Sequence, residues 1–126
     1  MLPLKGKTFK WYRYMNSRRG VFADIYSLVG NVPKGRVITY GLVADFLEQS
    51  KGLKVSPRLV GFALHKNKDN KKIPCHRVVF KDGSLSSKFA FGGIEAQRRK
   101  LKEEGIAFTS GGRVNLKKCL WKDLKF

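Results

Sequence analysis

One cysteine and one histidine stand side by side in Ile73-Pro74-Cys75-His76-Arg77-Val78-Val79, in a chain that holds 2 cysteines and 2 histidines in all. A thiol attacks only as its thiolate, so a reactive cysteine needs a base or a positive charge close by. His76 and Arg77 offer one of each. Pro74 fixes its own φ and removes a backbone donor, which holds Cys75 on stiff main chain. Apolar β-branched residues flank the group, and Val78-Val79-Phe80 reads as a short buried strand leaving it. Neighbours in a strand point to opposite faces, so a link between His76 and Cys75 is expected to run through a water. The plain alternative is a buried structural cysteine, a common fate of this residue. Cys119 lies in Leu116-Lys-Lys-Cys-Leu-Trp121, a basic, helical-looking tail where packing is the better reading.

The elements that position Cys75 must come from 126 residues, enough for one domain with a modest core and no need of disulfides or metals. Lys and Arg number 27 against 9 acids, a net charge of +18. Such an excess favours a polyanionic partner, through phosphate neutralisation and counterion release. An anionic membrane surface is the alternative, but the sequence has no long apolar run and no signal-like leader. Two cysteines in such different contexts do not read as a disulfide framework, and a reducing cytosol fits them better. Cys and His are too few in metal spacing for a zinc site, so no metal and no cofactor are expected.

Residues 1–20 interleave Lys5, Lys7, Lys10, Arg13, Arg18 and Arg19 with Phe9, Trp11, Tyr12 and Tyr14. Such an arm can track a nucleic-acid backbone and stack on bases, or simply pack its aromatics on the domain. The domain itself is expected over 21–126. Val21, Phe22, Ile25, Leu28 and Val29 have helical spacing, broken by the turn Asn31-Val-Pro-Lys-Gly35. Arg36-Val-Ile-Thr39 is short and β-branched, and Thr39 can cap a helix over Tyr40–Gln49 with Val43, Phe46 and Leu47 inward. Ser56-Pro57 is a strong helix start, a hydroxyl cap followed by proline at the first position. The helix to about Lys66 buries Leu59 or Val60, Ala63 and Leu64. Two helices joined by a short connection read as a helix-turn-helix. A lysine-rich turn over 67–72 leads to the Pro-Cys-His-Arg strand, and Asp82-Gly83 is a hairpin-type turn. Ser84 to Gly93 is a loop carrying Phe89 and Phe91. Ile94–Glu104 is a charged helix that Gly105 ends, and Ile106 to Leu116 forms a closing hairpin about Gly111-Gly112. The order predicts an α+β fold, mainly helical and winged-helix-like, with a short β-hairpin wing.

Pro-Cys-His-Arg-Val resembles the active-site signature of the O6-alkylguanine-DNA alkyltransferases. Three further stretches match in order. Val32-Pro-Lys-Gly-Arg-Val-Ile-Thr-Tyr-Gly41 resembles the family's Pro-x-Gly-x-Val-x-Thr-Tyr-Gly. Arg58-Leu-Val-Gly61 resembles its Arg-x-Val-Gly helix, with Asn67 at the place of its hinge asparagine, and Glu104-Gly105 resembles its Glu-Gly. The resemblance covers about Val21 to Trp121. It implies a monomer that binds double-stranded DNA with an alkylated guanine, not a membrane, in the cytoplasm (with the nucleoid) or in a nucleus. Cys75 would take the alkyl group once and irreversibly. His76 would deprotonate it through a water, oriented by Glu104, while Asn67 braces the turn. Tyr40 would press the phosphate beside the lesion and donate to the guanine. Arg58 would fill the gap left by the flipped nucleotide, and Gly61 would let the helix opened by Ser56 approach the groove.

The sequence departs from the family pattern in three places. The family's N-terminal α/β domain, with any metal it carries, is expected to be missing. Asn70 stands where several members carry an apolar or proline residue beside Pro74 that packs on larger alkyl groups. The pocket loop over 84–93 is long, with Phe89 where tyrosine is common and Phe91 close by; Leu59 and Phe62 stand near positions often filled by small residues. Two rivals stay open. Alkyltransferase-like proteins share this compact layout and bind the lesion without transfer, typically with tryptophan in place of the cysteine. A general winged-helix DNA binder is the other.

Overall fold

The computed structural model describes residues 20–122, so the basic arm expected over 1–20 lies outside them except for Gly20. The first helix, α1, covers 20–30. Val21, Ile25, Leu28 and Val29 recur at helical spacing and are all buried. β1 is only Ile38–Thr39, followed at once by α2, Tyr40–Lys51. Thr39 makes both possible: its extended backbone ends the strand, and its Oγ1 accepts the Leu42 N–H at 3.1 Å. Gly52, at φ 66°, closes α2. Four residues on, Ser56 Oγ accepts the Leu59 N–H at 3.1 Å and Pro57 opens α3, Pro57–His65. α3 buries Val60, Ala63 and Leu64, and the Tyr26 hydroxyl of α1 donates to the Ala63 carbonyl at 2.6 Å.

The Pro-Cys-His-Arg segment is not a strand. Cys75–Arg77 coil into one 3₁₀ turn, with Arg77 N–H donating to the Pro74 carbonyl at 2.9 Å; only Val78–Val79, β2, is extended. The coil lets adjacent Cys75 and His76 both be buried, each with partners of its own, where a strand would have sent them to opposite faces. α4 runs Gly93–Glu103 and α5 Leu116–Cys119, joined through an antiparallel Phe108–Val114 bridge that realises the closing hairpin.

The sheet differs from the expected wing. β1 and β2 pair in parallel, Ile38 with Val78 and Thr39 with Val79, although 40 residues separate them in sequence. On the other edge of β1 the tail adds a parallel bridge, Val37 with Leu120, through Val37 N–H to the Cys119 carbonyl at 2.9 Å and Trp121 N–H to the Val37 carbonyl at 2.8 Å. Strand burial on both faces is the mark of a parallel arrangement, and the β-branched run supplies it. Successive side chains go to opposite sides, so Ile38 and Val78 join the larger core with α1, α2 and α3. Val37 and Val79 join a smaller one with Leu85, Leu101, Ile106, Val114 and Cys119. The site grows from the seam between these two cores. No helix among the described residues is long and apolar enough to cross a membrane.

Candidate active site

The carboxylate of Glu104 is the electrostatic centre of the seam. It follows the last turn of α4, and Gly105, at φ 83°, turns the chain away behind it. Arg77 grips it with two bonds, Nε to Oε1 at 2.9 Å and one terminal nitrogen to Oε2 at 2.7 Å; its other terminal nitrogen donates to the Val32 carbonyl at 2.8 Å. Oε2 also lies 2.8 Å from His76 Nε2. Burial pushes the Glu104 carboxyl upward, but hydrogen bonds from Arg77 and His76 outweigh it and hold the group below the usual carboxylate range. Glu104 is therefore ionised at neutral pH and accepts from Nε2–H. His76 is buried, and burial lowers its pKa despite the opposing pull of Glu104. The ring is thus neutral at neutral pH, with its proton on Nε2 and its lone pair on Nδ1.

Cys75 Sγ accepts from Asn67 Nδ2 at 2.8 Å and lies 3.4 Å from the Ile73 carbonyl and 3.6 Å from the Leu64 carbonyl. Burial raises the thiol's pKa, and the Asn67 hydrogen bond acts against that rise. Asn67 folds the turn as well: Nδ2 donates to the Ile73 carbonyl at 3.0 Å and Oδ1 accepts the Asp69 N–H at 3.0 Å. No direct bond joins the thiol to His76 among the contacts of the described residues.

Cys75 lines a pocket of about 1080 Å³ together with Tyr40, Arg58, Gly61, Ser86 and Phe89. Tyr40 is half-buried at the start of α2, its ring 5.0 Å from that of Phe80. Burial raises its pKa, Ser86 eases it back and the Cys75 charge adds to the rise, so the phenol keeps its proton at neutral pH. Arg58 is exposed, two residues into α3. A Cβ added at Gly61 would meet the Tyr40 ring at 3.8 Å, an ordinary contact, so packing inside the protein does not demand a glycine there.

The remaining expected residues divide. Ser56 serves as the cap of α3. Phe91 packs against Phe89, ring centres 5.7 Å apart, and Pro74 is buried; neither lines the pocket. Asn70 also stands apart from the pocket wall, with Nδ2 3.4 Å from His76 Nδ1. Sequence pattern does not point to the roles of two further residues. The Arg77 charge, expected beside the thiol, is committed instead to Glu104 and Val32. Gln97 is buried in α4, where Nε2 donates to the His76 and Val78 carbonyls at 3.0 Å each and Oε1 accepts the Ser86 N–H at 2.9 Å. The available signal was its position four residues before Leu101, which puts both on one inward stripe of α4.

Residues 21–106 match the family model described as 6-O-methylguanine DNA methyltransferase, DNA binding domain. A bifunctional methyltransferase/endonuclease of Picrophilus torridus is 37% identical over 98 residues, which cover 78% of this chain but only 30% of that protein. Alkyltransferase-like protein 1 of Schizosaccharomyces pombe is 31% identical over 105 residues, covering 80% of this chain and 94% of the relative. The crystal structure of that yeast protein with damaged DNA containing O6-carboxymethylguanine superposes with a TM-score of 0.67 at 30% identity, over 82% of this chain and 96% of that one. Both a methyltransferase and an alkyltransferase-like protein thus share the fold that carries Cys75, and the chain belongs to the family of the 6-O-methylguanine DNA methyltransferase DNA-binding domain.

Proposed function

We propose that this protein repairs double-stranded DNA by moving the alkyl group of O6-alkylguanine onto Cys75, once per chain. The observation that carries the reading is a thiol in the pocket wall, bonded at 2.8 Å by Asn67 and preceding a histidine backed by an ionised carboxylate. The thiol proton passes through a bridging water to His76 Nδ1, and Glu104, accepting at Nε2, stabilises the imidazolium that results. Asn67 Nδ2 steadies the thiolate. Its electron pair forms the new S–C bond while the C–O6 pair leaves with guanine. Tyr40, still protonated, donates toward the departing base, and the proton held on His76 restores the balance. The thioether product has no water-labile bond, so the protein is spent.

The DNA end of the reading rests on charge and exposure. A surplus of +18 fits a phosphate backbone. Exposed Arg58, at the pocket that would receive an extruded nucleotide, offers a planar cation for the gap left in the duplex, and glycine at position 61 leaves room in front of α3.

A second reading, lesion binding without transfer, is favoured by the match to nearly the whole yeast alkyltransferase-like protein. Intact mass after incubation with a duplex containing O6-methylguanine separates the two. Transfer adds one methylene per chain, located on Cys75 after digestion and lost in Cys75→Ser, which still binds the duplex. Unchanged mass with tight binding favours the second reading, and label on Cys119 overturns the assignment of the site.

A further inference from the structure

Among the described residues, Asn70 Oδ1 is the buried side-chain oxygen or nitrogen with no hydrogen-bond partner. It belongs to an amide whose other end, Nδ2, sits 3.4 Å from His76 Nδ1, a long contact that leaves the Nδ1 lone pair weakly held. A buried acceptor without a donor is costly, so its presence beside a titrating ring asks for an explanation. We propose that Asn70 is a positioning residue for proton transfer, serving both protonation states of His76 by rotating its amide. This rests on the transfer reading given above.

With the ring neutral, Nδ1 is an acceptor and the Asn70 NH₂ faces it. Once the Cys75 proton has reached Nδ1 through the bridging water, the imidazolium has two N–H donors. Glu104 takes the one on Nε2. A half-turn of the Asn70 amide presents Oδ1 to the other, and the idle acceptor gains the donor it lacked. The proton is then held away from the water that would return it to the thiolate, and the thiolate lasts longer. Glutamine or a leucine-sized side chain would not do this in the same space; aspartate would hold the acceptor permanently. The charged and titratable groups that act on the ring are Glu104 in favour of the imidazolium, and Arg77 and Lys100 against it. Cys75 is the fourth, through the proton it gives up.

Two readouts test the proposal in the full chain. His76 ring-nitrogen NMR in the free protein, followed against pH, needs no alkylated DNA. Asn70→Leu, which removes both partners, should lower the His76 midpoint, and Asn70→Asp should raise it. Single-turnover transfer from an O6-methylguanine duplex should show an acid limb that moves the same way in each variant, with the plateau falling several-fold in Asn70→Leu. Superimposable His76 titrations in wild type, Asn70→Leu and Asn70→Asp would overturn the proposal and leave Asn70 as packing. Absence of transfer in the wild type would overturn the function proposed above, yet the NMR titration would still decide what Asn70 does to His76.

Discussion

Glu104 holds Arg77 and His76 together, and each partner needs it for a different reason. With glutamine in place of the carboxylate, Arg77 keeps its bond to the Val32 carbonyl but loses the charge that neutralises it and one of the two acceptors it grips. Leaving such a group short of partners costs about 1–3 kcal/mol. Glu104→Gln should therefore lower stability by about that amount, read as a shift of the denaturant midpoint, and should also slow transfer because the imidazolium loses its counter-charge. Glu104→Gln with full stability and full rate would dismiss the triangle as decoration. At this scale the sequence was readable where chemistry is local: Cys75, His76 and Asn67 lie within nine positions. Arg77 was misjudged because an arginine's partner is chosen by the fold, and Glu104 is 27 residues away. Asn70 could be placed in the wall only by analogy, and the tight turn around Asn67 and Asp69 aims it at the histidine instead.

Helix starts were legible because their signals are one or two residues long. Thr39 and Ser56-Pro57 marked α2 and α3 to the residue, with the hydroxyl bonds in place. Ser56→Ala should cost about 1 kcal/mol, visible as a lower melting temperature. The parallel pairing of β1 and β2 was not legible. Each strand has two residues, too few for a period to show, and its partner lies 40 residues away. Asp82-Gly83 forms the tight turn its residues announce, with Gly83 N–H donating to the Phe80 carbonyl at 2.8 Å and Phe80 N–H to the Ser84 carbonyl at 3.0 Å, and the Gly83 carbonyl also accepts the Val114 N–H at 2.8 Å. That contact makes a strong comparison. Gly83 has φ 86°, and an added Cβ would sit 2.5 Å from the Val114 carbonyl oxygen; Gly52 has φ 66° with nothing within 4 Å. Both alanine variants pay for a left-handed backbone, about 1–3 kcal/mol each. Gly83→Ala should be clearly worse in thermal melts, and equal losses would mean that the Val114 segment yields freely.

For the molecule as a whole, acid should act in two stages. His76 has a folded pKa below its ordinary 6.5, so its contribution is complete above that value and fades as pH falls through the lower folded one. Glu104 has a folded pKa below its ordinary 4.5, so the ion-pair contribution is complete above 4.5 and is lost on further acidification. Both signs agree: the unfolded chain binds more protons. Stability against pH should decline from about neutrality downward, and replacing His76 by glutamine should remove the first stage only. Charge supplies the other global expectation. Affinity for undamaged duplex should fall steeply and linearly on a plot of log affinity against log salt, with little sequence preference. A flat plot would mean that few of the 27 basic side chains reach phosphate.

The tail that lies along β1 bears on how the molecule is made. A ribosome delivers Ile38 and Thr39 early, then Val78 and Val79, and only afterwards Cys119 to Trp121, whose backbone closes the free edge at Val37. Arg36 adds a latch to the same segment, donating to the Lys118 carbonyl at 2.6 Å. For most of synthesis, then, a strand of apolar β-branched residues has one side open to any other extended chain, the situation that seeds aggregation. A nascent chain stalled after residue 115 should stay sticky and protease-sensitive, and one long enough to let residue 121 clear the exit tunnel should become resistant in a single step.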